Sequence, residues 1–410
     1  MNATKPLKGR KTHASDSELA EVPVGLLKIG MYVAAVDKPW LETPFAVQGF
    51  FVETEEDIDY VAAHCQHVYV DPRRVDRREL NTRRYAPSTG PRNTTSLKSE
   101  LRRATVDYES ASVAVEKVFT QLKKNRHLDA GAIESALTPL IQSVLRNSEA
   151  MAALIRMKQK NDYIHSHCIS TAVWSILLGR HVGLDNDELK VLALGAAMID
   201  VGMVNVPNHI INKPGPLTAK EFKLVKSHVK TGVRLVEEAG TVNHRVIEII
   251  ACHHERHSGS GYPNGLAGAD IPLTARMAGI ADSYDAMITQ RPYASARSSF
   301  DAIQELTALK GSLFHPDITE AFTQAIGIFP TGSIVELNSG EVGIVVGQNS
   351  VRRLKPQIIV VLDKNKVPYK RFITCDLQYQ SDPDDPLRNL RITKELQPGT
   401  YGLDAQNYFL

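Results

Sequence analysis

Apolar positions recur with the period of an α-helix through the middle of the chain and fall into short, broken runs on either side of it. Ile169, Ala172, Val173, Ile176 and Leu177 stand at i, i+3, i+4, i+7 and i+8, one face of a helix. Asp185 followed by Glu188 predicts a capping box, and the helix it opens runs on to Ile199 and Asp200. Thr218 with Glu221 predicts another helix start, with Phe222, Val225, Val229 and Val233 turned inward. Val246, Ile249 and Ile250 form the stripe of a further helix ending at His253, His254 and Glu255. Pro272 suits the first turn of the helix carrying Asp282. Residues 101–328 therefore read as an all-α domain.

The flanks have a different texture. Residues 1–20 are polar and read as a disordered tail. Over 21–71, short apolar pieces broken by Gly30, Pro39, Pro44 and Gly49 end in His67-Val68-Tyr69-Val70-Asp71, a small α+β domain with one helix near 55–64. Residues 72–100, rich in Arg, Pro, Ser, Thr and Asn, read as a solvated linker. Beyond 328, two apolar runs at 333–337 and 341–346 flank the turn Asn338-Ser339-Gly340, and 358–362 is a further strand. This predicts a small β unit over 329–380 and a C-terminal tail over 381–410. The expected fold class is mainly α, a helical bundle with a small α+β N-terminal domain and a small C-terminal β unit.

Composition narrows the function classes. With 410 residues and 43% apolar content the chain can build two or three domains. Lys and Arg number 48 against 46 Asp and Glu, so nothing in the charge calls for nucleic acid or an acidic membrane surface. Cys65, Cys168, Cys252 and Cys375 are far apart and form no paired motif, which suits a reducing cytosol. The longest apolar run, 191–199, is too short to span a bilayer, and residues 1–14 lead into no hydrophobic segment. A cytoplasmic protein is expected.

Candidate chemistry lies in the helical region. His167 precedes an apolar stripe, Asp200 ends a helix, and His228 is flanked by Val225 and Val229. His253 and His254 continue the Val246, Ile249, Ile250 stripe, so at least one points inward. Asp282 shares a face with the small residues Ala275, Ala278 and Ala286. Imidazole and carboxylate together suit Fe, Mn or Zn, and a carboxylate among them can bridge two ions for phosphoester hydrolysis. Each position alone is equally a hydrogen-bonded core histidine or a cap aspartate. His165, His181, His209, His244 and His257 read as surface or loop residues.

The run His253-His254-Glu255-Arg256-His257-Ser258-Gly259-Ser260-Gly261-Tyr262-Pro263 resembles the defining signature of the HD-GYP family. Lys213-Pro214-Gly215-Pro216-Leu217-Thr218, Ile271-Pro272, Ala281-Asp282-Ser283-Tyr284-Asp285-Ala286 and Arg291-Pro292-Tyr293 stand around it in the family's order and spacing. Gly30-Met31-Tyr32-Val33, Pro39-Trp40 and Pro44-Phe45 are similar to the small domain often found before HD-GYP units. The resemblance implies an HD-type helical bundle, a di-iron or di-manganese centre, and hydrolysis of cyclic di-GMP. By position it makes His167, Asp200, His228, His253, His254 and Asp282 metal ligands, with Asp200 bridging at the catalytic centre. It assigns substrate binding to Gly261, Tyr262, Pro263 and Arg291, the arginine facing a phosphate or guanine.

The chain departs from that pattern at the chemistry. Where the family has the His-Asp pair followed by Gly-Lys, this chain reads Ile199-Asp200-Val201-Gly202-Met203. Isoleucine cannot bind a metal, and losing one charge stabiliser such as the replaced lysine costs about 10²–10³-fold in rate. Ser258 stands at a usual aspartate, Ala294 at a usual basic residue, and Tyr163 rather than a glutamate lies four residues before His167. Two readings follow: a cyclic di-GMP phosphodiesterase with weakened activity, or an inactive sensor that binds the dinucleotide or docks a GGDEF-type diguanylate cyclase. A deoxynucleotide phosphohydrolase shares the metal motif, but the Gly261-Tyr262-Pro263 loop argues against it. One or two divalent ions, Fe or Mn first, are the expected cofactor. A homodimer is an open alternative.

Overall fold

The computed structural model describes residues 19–38, 50–52, 55–71, 93–125, 127–157, 163–240, 242–291, 295–349, 354–378 and 390–409. Residues 1–18 of the tail expected over 1–20, residues 72–92 of the linker expected over 72–100, Pro39-Trp40, Pro44-Phe45, Pro292-Tyr293-Ala294 and positions 381–389 lie outside them. The chain divides into two units, Met1–Thr82 and Arg83–Leu410.

In the first unit, strands β1 (Ala20–Pro23), β2 (Tyr32–Val36) and β3 (Phe50–Phe51), helix α1 (Glu55–Ala62) and strand β4 (His67–Val70) follow in order. The sheet is antiparallel with strand order β1-β4-β2-β3. Alternation along β4 sends Val68 and Val70 inward, where Val24, Val33, Val36, Val52, Val61 and Cys65 complete a small core.

The second unit opens with α2 (Leu97–Asn125), α3 (Ala130–Arg146), α4 (Ser148–Met157), α5 (Tyr163–His181) and α6 (Asn186–Met198). It continues through α7 (Asn208–Ile211), α8 (Ala219–Lys226), α9 (His228–Ala239), α10 (His244–Cys252), α11 (Leu273–Ile288), α12 (Ser299–Ala308) and α13 (Pro316–Ile326). The expected capping box of Asp185 with Glu188 opens α6, and the helix start expected at Thr218 with Glu221 is a second capping box, opening α8. Ile169, Ala172, Val173, Ile176 and Leu177 are all buried in the main core, with Trp174 and Tyr284 edge to face at 5.3 Å.

Three expectations need correction. The helical unit begins before residue 101: α2 starts at Leu97, and Thr94 N–H donates to the Arg146 carbonyl at 2.8 Å, so the linker ends earlier than its composition suggests. The apolar stripe from Phe222 to Val233 is not one helix face. The chain breaks at Ser227, whose N–H turns back to Leu224 O, and Phe222 is left 46% exposed while Val229 is buried. Nor are residues 381–410 a tail throughout. Strands β5 (Ile334–Leu337), β6 (Val342–Gly347), β7 (Gln357–Leu362), β8 (Pro368–Asp376) and β9 (Ile392–Leu396) form one antiparallel sheet in the order β8-β7-β6-β5-β9.

Strand β9 belongs there because of Glu395. Its buried carboxylate meets Arg156 of α4 at 2.5 Å and accepts from Phe300 N–H and the Ser333 hydroxyl, both at 3.0 Å. A buried charge needs such partners, and these fasten the sheet to the helices. Leu403, Ala405 and Phe409 then join the main core.

Candidate metal centre

The end of α6 sets the first part of the site. Asp200 leaves helical geometry at φ −98°, ψ 9°, and a short 3-10 turn over Val201–Asn205 follows, its Met203 N–H donating to Asp200 O at 2.8 Å. Gly202 lets this turn lie against the first turn of α9, since a Cβ there would stand 1.9 Å from the His228 carbonyl oxygen. Asp200 is thereby held between two histidines. Its Oδ1 is 3.4 Å from His228 Nε2 and its Oδ2 is 3.9 Å from His167 Nε2.

His228 and His253 face each other in the second part. His228 Nδ1 donates to the Val225 carbonyl at 2.7 Å, and His253 Nδ1 donates to the Ile250 carbonyl at 2.8 Å. A carbonyl only accepts, so each Nδ1 carries a proton, and in the neutral rings both Nε2 atoms present lone pairs. Those two Nε2 atoms are 3.3 Å apart. Lone pairs so close repel unless a cation lies with them. A proton on His253 is disfavoured, because burial and then the facing His228 ring push it down to about 4. A metal ion answers the geometry. His254 joins the pair, with one ligand atom from each of the three rings lying within 4.8 Å of the others.

The loop after α10 places Tyr262 over His254. Gly261 packs on the backbone of 254–256, where a Cβ would lie 2.4 Å from Arg256 N and 2.5 Å from His254 O. Tyr262 N–H donates to His254 O at 3.2 Å, and the two rings lie 4.6 Å apart. Buried Glu255 pins the loop, its carboxylate accepting from Asn264 N–H at 2.7 Å and Leu266 N–H at 3.0 Å.

His167 and Asp282 form the third part. His167 Nε2 is 2.9 Å from Asp282 Oδ1, and Asp282 Oδ2 is 4.0 Å from His254 Nδ1. On the other side, His167 Nδ1 donates to Asp285 Oδ2 at 2.8 Å. Burial opposes charge on this ring, but its hydrogen bonds to Asp282 and Asp285 win and raise it to about 10. Burial also works against the Asp282 carboxylate, and His167 outweighs it, holding Asp282 well below the usual range. Fully buried Asp285 also accepts from Trp174 Nε1 at 3.0 Å. It orients His167 as carboxylates behind metal-binding histidines do. Sequence reasoning gave Asp285 and Glu255 no role; the spacing of Asp285, three residues after Asp282 on one helix face, was the available signal.

The structure thus brings together His167, Asp200, His228, His253, His254 and Asp282. Imidazole nitrogens and carboxylate oxygens in this ratio fit a divalent transition ion. Ile199, the residue before Asp200, is fully buried in the apolar core and offers no donor. Met203 is partly buried in the 3-10 turn. Arg291 is partly buried beyond the end of α11 and takes no part in the contacts just described.

Metal uptake should release protons. An ion bound at His167 replaces the Nε2 proton that the carboxylates hold below a pKa of about 10. Affinity should therefore rise with pH, by about tenfold per unit for each proton displaced, from pH 6 to 9. Competition titrations against a chelator check this, and an affinity flat across that range would contradict it.

A family profile described as HD domain matches residues 138–318, and one described as a domain of unknown function matches 19–133. A cyclic di-GMP phosphodiesterase of Pseudomonas aeruginosa is 31% identical over 361 residues, 85% of this chain and 87% of that protein. The chain belongs to the HD-GYP family. A cyclic di-GMP phosphodiesterase response regulator of Xanthomonas campestris is 36% identical over 165 residues, 38% of this chain and 44% of that one. A solved HDG"Y"P protein from Bdellovibrio bacteriovorus matches with a TM-score of 0.46 at 18% identity, covering 74% of this chain and 98% of that one. No helix among the described residues of this HD-GYP protein is long and apolar enough to cross a membrane.

Proposed function

We propose that this HD-GYP protein binds cyclic di-GMP at the histidine-aspartate centre and hydrolyses it with weakened activity. The observation that carries the reading is the 3.3 Å approach of His228 Nε2 to His253 Nε2, with both Nδ1 protons committed to carbonyls. That arrangement calls for a cation, and Fe or Mn suits the mixed nitrogen and oxygen donors. His228, His253, His254 and Asp200 would hold one ion, and His167, Asp200 and Asp282 a second. When bound, such ions supply a hydroxide nucleophile at neutral pH and neutralise phosphate charge. Asp200 offers one oxygen to each side and is the bridging residue of the reading. Gly261 lets the loop backbone approach closely, while Tyr262, Pro263 and Arg291 are assigned to the dinucleotide.

The weakening follows from two side chains. Ile199 leaves the second ion three protein ligands, and Met203 brings no charge to the phosphate. The complete burial of Ile199 also favours a second reading, a protein that binds the dinucleotide without turning it over and signals by docking a partner such as a GGDEF-type diguanylate cyclase.

Elemental analysis of anaerobically purified protein, paired with a turnover assay on the same sample, tests both. About one Fe or Mn per chain is expected from the four-ligand set, with His254→Ala losing it. A folded, metal-free wild type would refute the metal reading. Metal and tight dinucleotide binding without turnover would select the sensor.

A further inference from the structure

A lysine stands over Tyr262, which itself covers His254. Lys226 Nζ lies 5.3 Å from the centroid of the Tyr262 ring and 4.9 Å from that of Phe222. Lys226 ends α8, a helix with three lysines and no buried residue, and only Ser227 separates it from His228. Two aromatic faces confine its ammonium group without neutralising it. No carboxylate among the described residues lies within ion-pair distance of it, whereas Lys213 is committed to Glu221 at 2.7 Å.

The centre needs such a charge. Asp200, Asp282 and Asp285 crowd the ligand side with carboxylates, and Met203 contributes nothing positive. A phosphodiester carries its own negative charge toward these groups. A preorganised, unpaired ammonium one ring away from His254 is placed to meet it.

We propose that Lys226 is the phosphate-binding cation of this site, reaching the substrate from α8 beside Tyr262 and taking over the duty that Met203 cannot perform. The proposal rests on the cyclic dinucleotide reading above and adds to it a specificity residue that the signature motifs do not contain.

Calorimetric titration of the metal-loaded full chain with cyclic di-GMP tests it. Lys226→Met should weaken binding about 10- to 100-fold, as expected for a lost charge-assisted hydrogen bond. The remaining affinity should depend less on ionic strength, a change that a merely structural role would not produce. Lys226→Arg should keep most of the affinity, and Met203→Lys added to Lys226→Met should recover part of it. Metal content is measured on every variant; if Lys226→Met loses metal, Lys226→Gln decides by the same criterion. A wild type that does not bind cyclic di-GMP overturns the underlying reading and this proposal with it. A wild type that binds, with a metal-loaded variant within twofold of it and equally salt-dependent, overturns the role of Lys226 alone.

Discussion

Restoring the signature pair with Ile199→His and Met203→Lys should raise cyclic di-GMP turnover by at least ~10²-fold. Ile199 directly precedes Asp200, whose two oxygens already face His228 and His167, so a donor there would serve the ion held by His167, Asp200 and Asp282. The lysine would act on the phosphate and raise the rate without altering the ligand set. The histidine carries a stability cost that metal offsets. Ile199 is fully buried among apolar neighbours, and an imidazole in its place loses hydration unless it coordinates an ion. The metal-free double variant should thus melt below wild type, and metal should restore it, by about 2.7 kcal/mol at a hundredfold excess over Kd. Metal content should rise from about one ion per chain to about two, with the rate following. Two ions with an unchanged rate would move the limitation to another departure, Ser258 first.

Much of the helical domain was legible because helix periodicity and capping are local. Asp185 with Glu188 and Thr218 with Glu221 begin helices where side-chain oxygens satisfy the first N–H groups, which four residues suffice to specify. The candidate ligands were legible differently. No spacing rule assembles His167, Asp200, His228, the adjacent pair His253 and His254, and Asp282, which come from five places in the chain and meet only through tertiary packing. Apolar-face positions made them candidates, and the resemblance to the family, not periodicity, assigned them to one site.

What was missed depends on contacts that sequence does not display. Asp285 reads as one more helix aspartate until Trp174 Nε1 and His167 Nδ1 are found donating to it from α5. The stripe from Phe222 to Val233 satisfies helical spacing, but the break at Ser227 changes the register and leaves Phe222 beside the site instead of in the core. Strand β9 escaped notice because Ile-Thr-Lys-Glu-Leu has a polar middle, and its most buried carboxylate is matched by an arginine more than two hundred residues earlier.

Gly202→Ala should abolish metal binding while adding a single methyl group. The new Cβ would stand 1.9 Å from the carbonyl oxygen of His228 and 2.6 Å from the backbone nitrogen of Gly232, both in α9. Neither atom is the free end of a side chain, so the 3-10 turn and the helix must part by about 1 Å or more to reach normal packing distances. Asp200 rides on that turn and His228 on that helix. The 3.4 Å contact between them would open, and with it the donor set shared by the proposed ions. Overpacking of this kind costs about 1–3 kcal/mol of stability, and a ligand displaced by an ångström costs about 10²-fold in function. The two readouts separate the effects: thermal unfolding of the metal-free protein reports the strain, and metal content of the folded variant reports the displaced ligand. Gly240 supplies the control. It ends α9 at φ 76° with no atom within 4 Å of a Cβ, so Gly240→Ala strains the backbone without touching the centre. Gly202→Ala holding metal as wild type does would mean that the 3-10 turn does not position Asp200.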